Sequence, residues 1–600
     1  MLPPQSLNFQ SKNLFACLRL LSSLQSQGMK NIVICPGSRS APLAYAASIL
    51  SELNGLEITT AIDERSAGYF SLGMSAASGS PVGVLTTSGT AVANLLPAAV
   101  EADRSCHRVL FLTADRPDRL KNCGANQTVN QEDFLSSVAR WSFNTPKNGV
   151  HEINNDIILD IKKNISKIFN NFPGPIHINI SVEEPLHVSS INYHLIKSMF
   201  LDSLEHSTYN YIENKPKLSK LFPSIDITLP GIIVVGQWRG NQDNFIVFEN
   251  LLREFQSLSN WSVFADPLSR LDSKFSGLIA NWELIISSGF ICMPSDLQII
   301  RFGNMSPSRN LENFLSQYKN NQILITEDDN RFLDPLRIAI HWKYGFSSWL
   351  NKYKKTLDDK VITPDENNHN LYEILHKIDY DISNWLDSKI PLSGSINEIS
   401  LARILPRILP EGLSVMLSSS SPVRDWLVFS GLDSFCQRCF AFRGASGIDG
   451  TLSLAMGLAK INGPTILISG DLSLLHDING WLFSRDNNSK LIVLLIDNYG
   501  GGIFHQFRSD SHLSYPFDNL FIMKQNVDHL LLAEAYNVCS RQVSCLEDLP
   551  EAIDWGFSNN SPTLLRVATD ASSDSEFRLN IRNELSNYLN QNYPNYFSES

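Results

Sequence analysis

The chain has 600 residues, 43% hydrophobic and 18% charged, so it can bury several cores, and its length predicts about three to four domains. Its 49 Lys and Arg against 61 Asp and Glu give a formal charge of -12, which argues against a general nucleic-acid binder, since phosphate contacts need basic surface. Small-molecule chemistry becomes the default.

The N-terminus MLPPQSLNFQSKNLF lacks a basic stretch followed by an apolar one, and no window approaches about 18 uninterrupted apolar residues. A cytoplasmic chain without membrane or nucleic-acid partners is expected. Nine scattered cysteines predict reduced thiols. Cys436 and Cys439 in FCQRCF have no second pair to complete a zinc set, and their apolar neighbours predict a buried strand.

In chain order, the short runs NIVICPG, LEITTAID, PVGVLTTSG, HRVLFLTADR and GPIHINISV read as strands, with helical spacing between the early ones. Such alternation predicts a doubly wound parallel sheet over residues 1–195. Residues 196–390 read as a smaller middle α/β domain, with strands in PGIIVVG, SDLQIIRFG and NQILITED and helices in ENLLREFQSL and NLENFLSQY. Polar segments near 190–225 and 352–395 are expected to bound it. Residues 391–600 repeat the first pattern with LSVMLSS, RCFAFRG, PTILISG, KLIVLLID and SPTLLRVATD, predicting a second doubly wound parallel sheet. Neither sheet domain carries GxxxxGK[ST] or GxGxxG, which disfavours nucleotide binding at those motifs.

Asp471 follows PTILISG and Asn498 follows KLIVLLID, one strand, helix, strand unit apart. Ligands of parallel sheets bind at the carboxyl ends of strands, so neighbouring strands would bring both oxygens to one point. A carboxylate, an amide oxygen and a loop carbonyl such as that of Gly500 suit Mg²⁺, with Mn²⁺ as an alternative, and leave coordination positions for phosphate. The glycines of NYGGG let backbone approach a diphosphate.

This GD pair followed by Asn resembles the diphosphate signature of thiamine diphosphate enzymes, in which the third position is often Gly; here it is Leu472. The resemblance implies that Gly470, Asp471, Leu472, Ser473 and Asn498 bind the cofactor, with Asp471, Asn498 and Gly500 on the metal. It also implies a glutamate against the pyrimidine nitrogen, and IDERSAGYFSLGMSAASG places Glu64 at a strand end, where it would favour the imino tautomer that takes the proton from thiazolium C2.

The stretches PGSRSAPLA, TTSGTAVANLLPA, TADRP, CGANQT, SPVRDW, FRGASGIDG and DERSAG closely resemble the 2-succinyl-5-enolpyruvyl-6-hydroxy-3-cyclohexene-1-carboxylate synthases of menaquinone and phylloquinone biosynthesis. That resemblance covers both sheet domains strongly and the middle weakly. It implies decarboxylation of 2-oxoglutarate and 1,4-addition of the succinyl unit to isochorismate. The active sites are then expected to be shared between subunits of a homodimer or a dimer of dimers.

By the same resemblance, Thr87, Ser88 and Gly89 touch the cofactor, and Ile448, Ile503 and Phe504 wall it. Ser38, Arg39, Arg116 and Gln127 fall around the isochorismate site, while Arg424 and Arg443 serve the keto-acid adduct and its acceptor. Arg39, Arg116, Arg424 and Arg443 are expected in loops at strand ends, where planar forks read carboxylates. Two substrate positions depart from the family: Arg309 stands where Lys is usual, and Ser419, beside Ser420, where many relatives carry Asn.

His107, His476 and His505 read as structural, and no His-His pair occurs. Another thiamine diphosphate-dependent 2-oxoacid lyase and a catalytically silent scaffold are the competing readings.

Overall fold

The computed structural model describes residues 8–202, 222–239, 242–289, 293–319, 321–327, 329–357, 366–486, 489–507 and 514–593. Each apolar run read as a strand forms one. The first sheet holds β1 (Asn31–Ile34), β2 (Glu57–Thr60), β3 (Val82–Thr86), β4 (Val109–Asp115), β5 (Trp141–Asn144) and β6 (Ile176–Ser181). The second holds β7 (Gly231–Val235), β8 (Ser262–Ala265), β9 (Leu278–Ile279), β10 (Gln298–Phe302), β11 (Gln322–Ile325) and β12 (Ile340–Trp342). The third holds β13 (Ser414–Leu417), β14 (Arg438–Phe440), β15 (Thr465–Gly470), β16 (Leu491–Asp497), β17 (Cys539–Val543) and β18 (Thr563–Ala568).

Pairing within all three sheets is parallel. Every residue of β4, β6 and β16 is buried, as expected when helices cover both faces. The first sheet runs β2-β1-β3-β4-β6-β5 and the third β14-β13-β15-β16-β18-β17, one strand order used twice. The second runs β12-β11-β10-β7-β8-β9.

The chain divides into two compact units. The first comprises residues 1–216, 442–463 and 476–489 and contains the first sheet. Within it the helix Glu64–Ser78 packs closely on the helix Thr451–Asn462: a Cβ on Gly73 would meet the Leu454 carbonyl oxygen at 2.2 Å, and one on Gly457 the Phe70 carbonyl oxygen at 2.1 Å. The second unit comprises residues 217–441, 464–475 and 490–600 and contains the other two sheets. One apolar cluster of this unit joins Ile232, Ile299 and Trp282 to Leu427, Phe429 and Leu585.

Three expectations need correction. The polar segment near 352–395 contains the 24-residue helix Glu366–Lys389, because Leu371, Leu375, Ile378, Ile382 and Leu386 recur at helical spacing and are buried in that cluster. Arg424 lies in the helix Ser421–Phe429 rather than in a loop, since Pro422 in its first turn starts the helix almost at once after β13. Of the cysteine pair, only Cys439 sits buried in a strand, while Cys436 ends the 3-10 turn Leu432–Cys436 and is half-buried. Part of the segment near 190–225 lies outside the described residues; Ser190–Asp202 is helical. Strands β5, β9, β12 and β17 escape the sequence reading because β5 and β17 are partly exposed and β9 and β12 span two and three residues; β8, four buried residues, escapes it as well.

Candidate active site

Four neighbouring strands of the first sheet carry candidate residues on their carboxyl ends. Glu64 opens its helix beyond β2, Ser38 and Arg39 form a 3-10 turn after β1, Thr87 to Gly89 follow β3, and Arg116 follows β4. Asp63 caps the Glu64 helix, accepting from the Arg65 and Ser66 amides at 2.9 and 3.2 Å. Gly37 must lack a side chain, because a Cβ there would stand 2.4 Å from that of Thr87.

Arg116 binds this edge together. Its Nη1 donates to Ser88 Oγ and to the Gln127 carbonyl at 2.7 Å, while Gln127 Nε2 donates to the Ser88 carbonyl at 2.8 Å. Burial and then the charge of Arg39 pull the Arg116 guanidinium below its ordinary range. The Asp115 and Glu184 carboxylates offset part of that repulsion. Arg39 donates to the Val182 carbonyl and to Glu184 Oε1, each at 2.9 Å, so part of its fork is engaged. Ser38 Oγ lies 3.3 Å from His187 Nε2.

Gln131 is fully buried and was missed. It accepts from the Gly89 amide at 2.9 Å and donates to the Ala114 carbonyl at 3.0 Å, fixing the loop after β3 to β4. Glu101 was missed as well; its carboxylate accepts the Gly444 and Ala445 amides at 2.9 and 2.6 Å, which fixes the turn after Arg443 and before Ile448 within the first unit. Both residues sit inside helical or polar stretches with no distinguishing spacing.

The third sheet carries a different set. Asp471 begins the helix Asp471–His476 immediately after β15, Asn498 follows β16, and the two strands are neighbours. Asp471 is buried and accepts from the Leu472 and Gly500 amides, both at 2.7 Å. Burial, then the charge of Asp497, pushes its carboxyl up to about 7. Such a carboxylate gains from a bound cation. Asn498 Nδ2 donates to Glu398 Oε1 at 2.7 Å, while Asn498 Oδ1 is buried with no hydrogen-bond partner among the described residues.

The glycines behind Asn498 are sterically required. A Cβ on Gly500 would stand 2.2 Å from the Ile522 carbonyl oxygen, one on Gly501 2.3 Å from that of Phe521, and one on Gly502 2.4 Å from Asn498 Nδ2. Gly500 also has φ of +139°, a region side chains avoid. Phe504 packs its ring on Phe521 at 5.3 Å, and Ile503 is half-buried beside it.

A cavity of about 670 Å³ in the same unit is lined by Arg309, Arg424, Arg578, Arg582, His505 and Gln506, among others. Arg582 pairs with Glu283 at 3.1 Å, and Arg578 with Asp425. Arg424 donates to the Ser420 carbonyl at 2.7 Å, and burial pulls its guanidinium below the ordinary range. Ser420 itself has φ of +78°, turning the chain from β13 into the helix, with Ser419 beside it.

Residues 19–135 match the family described as thiamine pyrophosphate enzyme, N-terminal TPP binding domain, and residues 435–567 match its C-terminal TPP binding domain. A 2-succinyl-5-enolpyruvyl-6-hydroxy-3-cyclohexene-1-carboxylate synthase of Prochlorococcus marinus strain NATL1A is 46% identical over 590 residues, covering 97% of this chain and 98% of the relative. The chain belongs to this synthase family. Synthases of the same name from Prochlorococcus marinus strain MIT 9313 and Synechococcus sp. strain CC9311 are 46% and 45% identical, each over 94% of this chain and 98% and 99% of their own lengths.

The synthase family's thiamine pyrophosphate domains thus fall on the two sheets that share a strand order. Of the residues expected from sequence, the first unit brings together Arg39, Thr87, Ser88, Gly89, Arg116 and Gln127. The second gathers Gly470, Asp471, Leu472, Asn498 and Gly500, and separately Arg309, Ser420 and Arg424. Ser473 is buried in the Asp471 helix. Glu64, Arg443 and Ile448 belong to the first unit. The buried acid and the buried amide oxygen, which has no partner among the described residues, fit a divalent cation. Among the described residues no helix is long and apolar enough to cross a membrane.

Proposed function

We propose that this chain decarboxylates 2-oxoglutarate and adds the succinyl unit to isochorismate, giving 2-succinyl-5-enolpyruvyl-6-hydroxy-3-cyclohexene-1-carboxylate (SEPHCHC) and CO₂. The observation that carries the reading is the pair Asp471 and Asn498 on adjacent strand ends, with Asn498 Oδ1 buried and unpartnered among the described residues. Thiamine diphosphate, when bound, supplies the carbanion chemistry that neither substrate has alone.

The chain's own residues then do the following work. Asp471 and Asn498 Oδ1, with the Gly500 carbonyl, hold Mg²⁺, for which Mn²⁺ can substitute; Gly470, Leu472 and Ser473 lie against the diphosphate. The Gly500 carbonyl already accepts the Gly502 amide at 2.8 Å and keeps a second lone pair. Glu64 holds a proton against the pyrimidine nitrogen. Thr87, Ser88 and Gly89 touch the cofactor, and Ile448, Ile503 and Phe504 wall it.

Isochorismate carboxylates are read by Arg39 and Arg116 with Ser38 and Gln127; the charge of Arg39 already acts on Arg116. Arg424 and Arg443 serve the keto-acid adduct and its acceptor, and Arg309, Ser419 and Ser420 contact substrate. Residues 1–195 serve as the pyrimidine-binding domain and 391–600 as the diphosphate-binding domain, with 196–390 between them. In a cytoplasmic homodimer or dimer of dimers, Glu64 of one copy and Asp471 of another complete each site.

Donor selectivity tests the proposal. CO₂ release in the presence of Mg²⁺, thiamine diphosphate and isochorismate should be far faster with 2-oxoglutarate than with pyruvate. Equal or faster turnover of pyruvate would replace this reading with another 2-oxoacid lyase.

A further inference from the structure

An asparagine side chain can turn either its oxygen or its nitrogen toward a ligand, and only the oxygen binds a cation. Glu398 makes that choice for Asn498. It opens the helix Glu398–Ile408 and is buried, and its Oε1 accepts from Asn498 Nδ2 at 2.7 Å. A carboxylate in this position accepts and does not donate, so the amide must present its NH₂ to Glu398 and its oxygen to the other side. That oxygen is the buried atom without a partner among the described residues.

Glu398 is itself held. Arg578, from the helix Ala571–Asn592, donates through Nη2 to Glu398 Oε2 and through Nε to Asp425 Oδ1 at 2.8 Å. One carboxylate oxygen is therefore occupied by the guanidinium and the other is left for the amide. The three helices and the end of β16 all belong to the second unit, and the chain of contacts runs from Asp425 through Arg578 and Glu398 to Asn498.

We infer that Glu398, fixed by Arg578 and Asp425, is a positioning residue that sets the Asn498 amide with its oxygen toward the divalent cation. The inference rests on the Mg²⁺ site proposed above. A partner that orients a metal ligand through its other atom commonly changes metal affinity about 10- to 100-fold when removed. A merely structural ion-pair network would hold the helices together without moving that affinity.

Mn²⁺ serves as the probe, its binding to the full-length protein saturated with thiamine diphosphate followed by the electron paramagnetic resonance of the free ion. Asp471→Ala is the reference that should lose the ion. Glu398→Ala should weaken Mn²⁺ about 10- to 100-fold. The decisive comparison exchanges donor and acceptor. Asn498→Asp sets two carboxylates against each other and should weaken Mn²⁺ by a similar factor. Adding Glu398→Gln to it restores an amide donor against a carboxylate acceptor, leaves one oxygen for the ion, and should bring binding back to within about threefold of the wild type.

If Asp471→Ala loses Mn²⁺ while Glu398→Ala binds it as the wild type does, or while the double variant binds no better than Asn498→Asp, the positioning role is overturned and the metal site stands. Unchanged binding in Asp471→Ala would overturn the metal site itself.

Discussion

The first and third sheets are built alike and equipped in opposite ways. Both are six parallel strands in one order, and in both the candidate residues sit at the carboxyl ends of strands. On the first sheet those ends carry Arg39 and Arg116, held by backbone carbonyls, the Ser88 hydroxyl and, for Arg39, the Glu184 carboxylate. On the third they carry Asp471, Asp497 paired with Arg566, and Asn498, whose amide nitrogen donates to Glu398 and whose oxygen has no partner among the described residues. The strand order decides where a ligand can sit. In the function proposed above, the charge at the strand ends divides the ligands, with substrate carboxylates on the first edge and a cation with its diphosphate on the third.

If the edges divide the work in this way, the largest effect comes from removing the one acid that the first edge contributes to chemistry. Glu64→Gln should leave cofactor affinity close to wild type while slowing exchange of the cofactor C2 proton about 10²- to 10⁴-fold, as read by NMR in deuterated water. Exchange at the wild-type rate would remove Glu64 from that role. Asp471→Ala should do the reverse, weakening Mg²⁺ and thiamine diphosphate together in a calorimetric titration, because Asp471 would hold the ion through which the diphosphate is bound.

A smaller effect separates the two substrates. Arg116→Ala should cost about 1.5 to 3 kcal/mol in kcat/KM, the value of a lost charge-assisted contact, and raise KM for isochorismate more than for 2-oxoglutarate. Equal changes for both would make Arg116 a structural residue of the loop holding Ser88 and Gln127.

The smallest effect on the chemistry concerns a buried acid of the first unit that meets no ligand. Asp477 accepts from the Ser453 amide at 2.7 Å and from Ser66 Oγ at 3.3 Å, and burial pushes it up to about 6 from an ordinary 3.8. The folded state then binds its proton more tightly than the unfolded chain does. Its contribution to stability is fully present below the ordinary value and is lost as pH rises from there through about 6. Asp477→Asn should flatten that decline in thermal melts, and Mg²⁺ should leave the decline unchanged. A response to Mg²⁺ there would place a cation on the wrong edge.

The strands that define these edges are legible in sequence because each is a short apolar run ending in Gly, Ser or Asp. NIVICPG, PTILISG and KLIVLLID are buried on both faces and need no partner to be recognised. Asp471 and Asn498 are legible through their spacing, and the arginines through the motifs around them. Gln131, Glu101 and Glu398 are not, since each acts by meeting a residue distant in sequence: Gln131 the Gly89 amide, Glu101 the Gly444 and Ala445 amides, Glu398 the Asn498 amide. A glutamate opening a helix, as Glu398 does, reads as a favourable dipole contact and nothing more. Helix Glu366–Lys389 is hidden for a different reason, because its apolar stripe is narrow and the rest of its surface polar.

Product formation is the most direct test of this division between the two edges. Purified protein incubated with Mg²⁺, thiamine diphosphate, 2-oxoglutarate and isochorismate should yield the mass of SEPHCHC with release of CO₂, and omission of any one of the four should abolish it. Release of CO₂ from 2-oxoglutarate with no adduct to isochorismate, under conditions where isochorismate remains intact, would contradict the assignment of the first edge as its binding site.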